Sequence, residues 1–78
     1  MKVEIRLLED ITNETGKLLE IVEVSTVDYS TARDRVLSRM ILHAQEQFGV
    51  ENIGTKSNST IFGGHYYSRS DGRSIVAT

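Results

Sequence analysis

The residue types in this chain that could carry chemistry are two histidines, several serines and threonines, and neighbouring carboxylates; the sequence has no cysteine. The closest approach to a metal-binding pair is His43 and Glu46, which a helix would place on adjacent turns. Two ligands do not make a metal site, and without cysteine the chain has neither a thiolate ligand nor a thiol nucleophile. We therefore expect no bound metal and no cofactor.

Nucleophilic catalysis needs a hydroxyl or thiol beside a base and an orienting acid. No serine stands in the Gly-x-Ser-x-Gly context that would single it out as a nucleophile. Gly16 and Lys17 are followed by Leu18, where a phosphate-binding loop would have serine or threonine. These patterns indicate that the protein is not an enzyme.

A more suggestive group of residues lies near the C-terminus, where histidine, tyrosine and arginine follow two glycines. Two further arginines lie one turn apart in the predicted helix. Tyrosine and arginine are favoured anchors of protein interfaces, and rings interleaved with cations also suit nucleic acids. The candidate binding residues are His65, Tyr66, Tyr67, Arg69 and Arg73, with Arg35 and Arg39 on the helix.

The same residues also have structural interpretations. One tyrosine could pack in the core while the other packs against a neighbouring strand. The helical arginines could pair with Asp34 or Glu46 on the helix surface.

Charge favours a protein partner over nucleic acid. The chain has nine Lys and Arg against eleven Asp and Glu, a net charge of -2, and a pI near 5.6. Residues 1–27 hold three basic and six acidic residues, while residues 51–78 hold three basic and two acidic ones. Nucleic-acid binders usually show a basic excess, so nucleic-acid binding by the C-terminal hairpin is the alternative hypothesis.

The N-terminal part of the chain is predicted to form a β-hairpin, the first element of the fold that holds these residues in place. Apolar and charged residues alternate over residues 2–7, the pattern of a strand with one buried face. A polar stretch over residues 9–16 offers a turn, and a second β-rich run covers residues 18–27. Alternation in this second run is irregular, which indicates either two partly covered faces or a β-bulge.

From Asp28 the apolar spacing changes to three and four, which predicts a helix over about residues 30–48, roughly 28 Å long. Asp28, Ser30 and Thr31 are candidate N-caps, and Gly49 is the expected C-terminal stop. The apolar stripe consists of Ala32, Val36, Leu37, Met40, Ile41, Ala44 and Phe48.

Beyond the helix we predict a polar connector over residues 51–58, a strand over residues 59–68, and a return strand over residues 74–77. Asp71 and Gly72 between these strands favour a type I′ turn. The predicted fold is α+β, in the order ββαββ, with one helix on one face of a four-stranded, mainly antiparallel sheet. One domain covers residues 1–78, because the chain is too short for two cores.

By elimination we expect a small protein-binding module. Proteins of this size often act as regulators or inhibitors carried by phages and other mobile elements, and we expect a role of that kind. The charged residues among the first six interrupt the apolar run that a signal peptide needs, so we expect a cytoplasmic protein without a membrane partner. A core this small supports about 5 kcal/mol of stability or less, and a homodimer covering the second face of the sheet would add to it.

Overall fold

The computed structural model describes residues 1–9, 16–25, 27–57 and 64–78. The described elements, in chain order, are β1 (Lys2–Leu8), β2 (Lys17–Glu23), α1 (Tyr29–Phe48), a 3-10 turn (Val50–Asn52), β3 (Ile53–Ser57), β4 (Gly64–Ser68) and β5 (Ser74–Ala77). The strands form one sheet in the order β2-β1-β5-β4-β3, with every neighbouring pair antiparallel. Helix α1 packs on one face of this sheet, which confirms the predicted α+β class.

The prediction of four strands is wrong by one strand. Strand β3 lies where we expected a connector, and it pairs with β4 from Ile53 opposite Ser68 to Ser57 opposite Gly64. Glycine, threonine, lysine and serine make up most of β3, so its sequence has little β pattern, and its pairing with β4 overrides that weak propensity. Of the strand predicted over residues 59–68, the structure shows β4; residues 58–63 lie outside the described part.

The helix begins and ends at two of the residues expected to cap it. Asp28 is the N-cap: its Oδ1 accepts a hydrogen bond from the Thr31 backbone N–H at 3.2 Å, and its Oδ2 accepts one from the Thr31 hydroxyl at 2.8 Å. Gly49 has a φ of 83° and donates its N–H to the carbonyl of Gln45. A positive φ is costly for other residues, so glycine is suited to this helix end.

The core lies between the helix and the face of the sheet beneath it. Alternate residues of β1 point into it, as the sequence predicted. Ile5, Met40 and Ile75 are its largest fully buried side chains. Its buried members are Val3, Ile5, Leu7, Val22, Val24, Ala32, Val36, Met40, Ala44, Phe48, Ile75 and Ala77.

A β-bulge interrupts the pairing of β1 and β2. Ile5 lies opposite Glu20 and Arg6 opposite Leu18, so Leu19 is an extra residue in β2. This confirms the bulge, one of the two explanations of the irregular alternation. The strand ends at Glu23, earlier than the predicted end at residue 27.

The C-terminal hairpin is confirmed, but its turn is not type I′. That turn needs a positive φ at two residues, and of the connecting residues 69–72, all of which are described, only Gly72 has one, at 79°. The connection is four residues long, closed by a hydrogen bond from the Ser68 N–H to the Arg73 carbonyl at 2.7 Å. In this four-residue connection the positive φ falls at Gly72, the last residue, and Asp71 does not have one.

Candidate functional site

Strand β4 separates the two candidate tyrosines. Neighbouring residues of a strand point to opposite faces, and Tyr66 packs against the core on the helix side. His65 and Tyr67 therefore lie on the other side of the sheet, which we call the open face. Tyr66 is therefore the tyrosine that packs against the core, one of the two arrangements expected for the pair.

Arg73 is held against the C-terminal end of the helix. Its Nε donates to Asp71 Oδ2 at 2.8 Å, and its Nη2 donates to the carbonyl of Gln47 at 3.3 Å. Its guanidinium also lies 5.3 Å from the centre of the Phe48 ring, within the range of a cation–π contact. These contacts tie Arg73 to the helix side of the sheet.

Arg39 takes part in a charged cluster between the helix and β2. Its Nε donates to both carboxylate oxygens of Glu20, at 2.9 and 3.1 Å, and His43 Nε2 lies 2.7 Å from Glu20 Oε1. Partial burial acts to raise the pKa of Glu20, but the hydrogen bonds from His43 and Arg39 and their charges together lower it below its ordinary value. Arg39 thus pairs with a strand carboxylate rather than with a helical one.

The two remaining arginines lie apart from each other. Arg35 is exposed and lines a cavity of about 180 Å³ near the start of the helix. Arg69 is exposed in the β4–β5 connection, where its backbone N–H donates to the carbonyl of Asn52 at 2.8 Å. The seven candidate residues therefore do not form one continuous surface.

The structure does bring Lys56, His65 and Tyr67 together on the open face of strands β3 and β4. Lys56 lies opposite His65, and Gly54 lies opposite Tyr67. His65 is buried, and burial first and the nearby Lys56 charge second lower the pKa of its imidazole. A Cβ at Gly54 would collide with the Tyr67 ring, so the ring packs directly over the glycine.

A second open-face group was not predicted as a site. It consists of Glu4, Arg6, Leu18, Ile21 and Val76, and we call it the open-face patch. Ile21 lies opposite Glu4, while Leu18 and Val76 flank Arg6 on either side. Leu18 is 41% exposed and Ile21 51% exposed.

The centre of the open-face patch is an ion pair. Arg6 donates to Glu4 Oε2 from Nε at 3.3 Å and from Nη2 at 3.1 Å. Both side chains are partly exposed, so the pair contributes little to the stability of the chain by itself. The patch thus combines a positive and a negative group with exposed aliphatic side chains.

The bulge at Leu19 assembles this patch. In an unbroken strand, Leu18 and Ile21 would point to opposite faces, because three residues is an odd spacing. The extra residue returns both side chains to the open face and turns Leu19 toward the core. Irregular alternation in β2 was the only sequence signal of this arrangement.

Across the described ranges, no three His, Asp or Glu side chains are grouped so that they could hold a metal ion. Helix α1 lacks the apolar length that crossing a membrane requires, and no other helix in the described part of the chain has it.

Comparison with known proteins adds no relative to these observations: no family model, no curated protein and no solved structure matches the chain.

Proposed function

We propose that this protein is a small non-enzymatic binding module that regulates or inhibits a partner protein, and that it contacts protein through the open-face patch. The observation that supports this most is the exposure of Leu18 and Ile21 on the sheet face that the helix leaves uncovered. Both residues belong to the acidic N-terminal hairpin.

Burial of these side chains gives a partner a hydrophobic gain. Covering apolar surface is worth about 25 cal/mol per Å², so removing two half-exposed aliphatic side chains from water contributes measurably to affinity. On the neighbouring strand, Glu4 lies beside Ile21 and Arg6 beside Leu18, and they supply charge that selects a complementary partner. An aliphatic surface with a central charge pair is suited to a specific, moderate-affinity protein contact.

The position of β2 strengthens this proposal. Among the described strands it lies at the edge of the sheet, a position that favours pairing with another chain. Leu18 and Ile21 project from that edge strand onto the open face. The patch therefore offers a partner a contact surface at this edge of the sheet, on the face opposite helix α1.

Capture experiments with matched variants test this proposal. The double variant Leu18→Thr and Ile21→Thr places a β-branched residue suitable for a strand at both positions and removes most of the exposed aliphatic surface. We expect immobilised wild-type protein to retain a specific partner from a host-cell lysate, and the double variant to retain at least about tenfold less.

Leu42→Gln is the control, because Leu42 is 44% exposed on the helix, away from the patch. This control should capture the partner as well as the wild type does. Equal capture by all three proteins, each shown by circular dichroism to be folded, would overturn the role of the patch.

Nucleic-acid binding is the alternative, and the observation that favours it is the placement of Lys56 and Tyr67 on one face, although His65 beside them is buried. Pairing of Arg39 and Arg73 with carboxylates leaves fewer cations for phosphate. Fluorescence anisotropy with single-stranded and duplex DNA and RNA, at low and at physiological salt, separates the two functions. Binding that falls steeply with salt would support the alternative, and no binding at low salt would exclude it.

A further inference from the structure

We infer that a second copy of this chain occupies the open-face patch, with the two sheets packed face to face and the helices outside. This inference rests on the proposed function, since it names the partner of the same surface. Its basis is the order of charged and aliphatic residues across strands β2, β1 and β5.

The patch and its neighbour Thr78 form two rows that run across the strands. Ile21, Glu4 and Thr78 form one row, in which the backbones of Glu4 and Thr78 exchange hydrogen bonds at 3.0 and 3.1 Å. The adjacent row consists of Leu18, Arg6 and Val76. Each row therefore has an aliphatic residue on β2 and a charged residue on β1.

A two-fold axis that runs across the strands and passes over Ile5 would exchange these rows between the two copies. Glu4 of one copy would then face Arg6 of the second copy, and the reverse pair would form at the same time. Ile21 would face Leu18 of the second copy, so aliphatic surface would meet aliphatic surface. The patch is thus complementary to itself in both charge and apolarity, which an isologous dimer requires.

The charges also select this axis over the other face-to-face arrangement. An axis parallel to β1 would place Glu4 against Glu4 of the second copy and Arg6 against Arg6. Like charges held in contact at an interface are unfavourable. The axis across the strands is therefore the one that the sequence of β1 supports.

The size of the face predicts a weak dimer. Five strands about 4.8 Å apart span roughly 20 Å, and strands of this length span roughly 20 Å in the other direction. Because Leu8, His65 and Ser74 on this face are already buried, a second copy covers less than this roughly 400 Å², below the 800 Å² or so that each partner buries in a standard interface. We therefore expect a concentration-dependent equilibrium between monomer and dimer rather than a permanent dimer.

Charge reversal in the purified full chain tests the pairing directly. By sedimentation velocity between about 10 µM and about 1 mM, wild-type protein should shift from monomer toward dimer. Glu4→Arg alone and Arg6→Glu alone should each remain monomeric, because each variant places two like-charged pairs across the axis. An equimolar mixture of the two variants should form a dimer again, since every cross-axis pair is then of opposite charge.

Glu46→Arg is the control, because Glu46 is exposed on the helix and lies outside the predicted interface. It should dimerise as the wild type does. A wild-type protein that stays monomeric at about 1 mM would overturn the inference. So would single variants that dimerise normally, or a mixture that stays monomeric while both variants show native circular dichroism.

These outcomes are distinguishable from failure of the proposed function. A monomeric wild-type protein that still captures a partner from lysate through Leu18 and Ile21 would leave the function standing and identify a different protein as the occupant. A dimer that the charge variants break would support the inference, and capture of a partner through Leu18 and Ile21 would still decide whether the protein regulates another protein.

Discussion

At the scale of single residues, the contact between Gly54 and Tyr67 links the edge strand β3 to its neighbour β4 on the open face. Gly54 has no room for a side chain, because a Cβ there would meet the Tyr67 ring. We expect Gly54→Ala to move that ring and to lower the free energy of unfolding by about 1–3 kcal/mol. Urea unfolding followed by circular dichroism measures this change.

The matched control for this contact is the double variant Gly54→Ala with Tyr67→Ala. If the ring is the obstacle, the alanine at position 54 should cost much less when the ring is absent, so the two substitutions should not be additive. Additive costs would show that the glycine is needed for its backbone rather than for the ring.

His65 predicts a dependence of stability on pH. Burial, and then the Lys56 charge, lower the pKa of its imidazole below the ordinary value of 6.5. The unfolded chain therefore binds the proton more readily, so stability should be complete above pH 6.5 and fall as the pH drops from there toward the lowered pKa of the folded state. An NMR titration of the His65 ring, beside urea unfolding at several pH values, measures both quantities.

Lys56→Gln should raise the pKa of His65 toward its ordinary value, because it removes the neighbouring positive charge. Lys2→Gln removes an equal charge from another strand of the open face and should leave the titration unchanged. An equal response to both substitutions would contradict the contact between Lys56 and His65.

At the scale of elements, the bulge in β2 decides which side chains form the patch. Deletion of Leu19 should close the bulge while keeping Leu18 opposite Arg6 and Glu20 opposite Ile5, since the flanking pairs then follow in regular register. The expected cost is the partial burial of one leucine, about 1–2 kcal/mol. Cross-strand NOEs between β1 and β2 report the register.

Loss of the Leu18–Arg6 pair in that deletion variant would mean that the bulge itself holds the strand in place. Substitution Leu19→Ala is the companion variant, because it removes the same side-chain burial and leaves the backbone count unchanged. It should match the deletion in stability and retain the bulge.

At the scale of the whole molecule, the hydrophobic core is small, so the loss of one buried side chain should strongly lower the free energy of unfolding. Met40 is fully buried at the centre of the helix face. Its replacement by alanine should cost about 2–5 kcal/mol, which is comparable with the roughly 5 kcal/mol that a chain of this length can hold. We expect Met40→Ala to be largely unfolded at 37 °C by circular dichroism.

Leu42→Ala is the control for this prediction. Leu42 lies two residues away on the same helix, but it is 44% exposed, so its truncation should change stability by only about 0.5 kcal/mol. Similar losses for both variants would contradict a larger contribution of Met40 than of Leu42 to core packing.

Elements with a strong local pattern were predictable from the amino-acid order. The helix and its caps at Asp28 and Gly49 depend on residues within one or two turns, and the buried alternation of β1 is a property of consecutive residues. For the same reason the order of the first hairpin and the helix, and the α+β class, followed from local spacing.

Contacts between distant residues decided the rest. Strand β3 is a strand because β4 pairs with it, Glu20 holds an arginine that lies 19 residues away, and Arg73 reaches the helix 26 residues back. No local rule predicts which of two neighbouring tyrosines faces the helix, because that choice depends on where the helix packs. Leu18 and Ile21 share the open face only because one extra residue bulges between paired strands, and pairing is a property of the folded sheet.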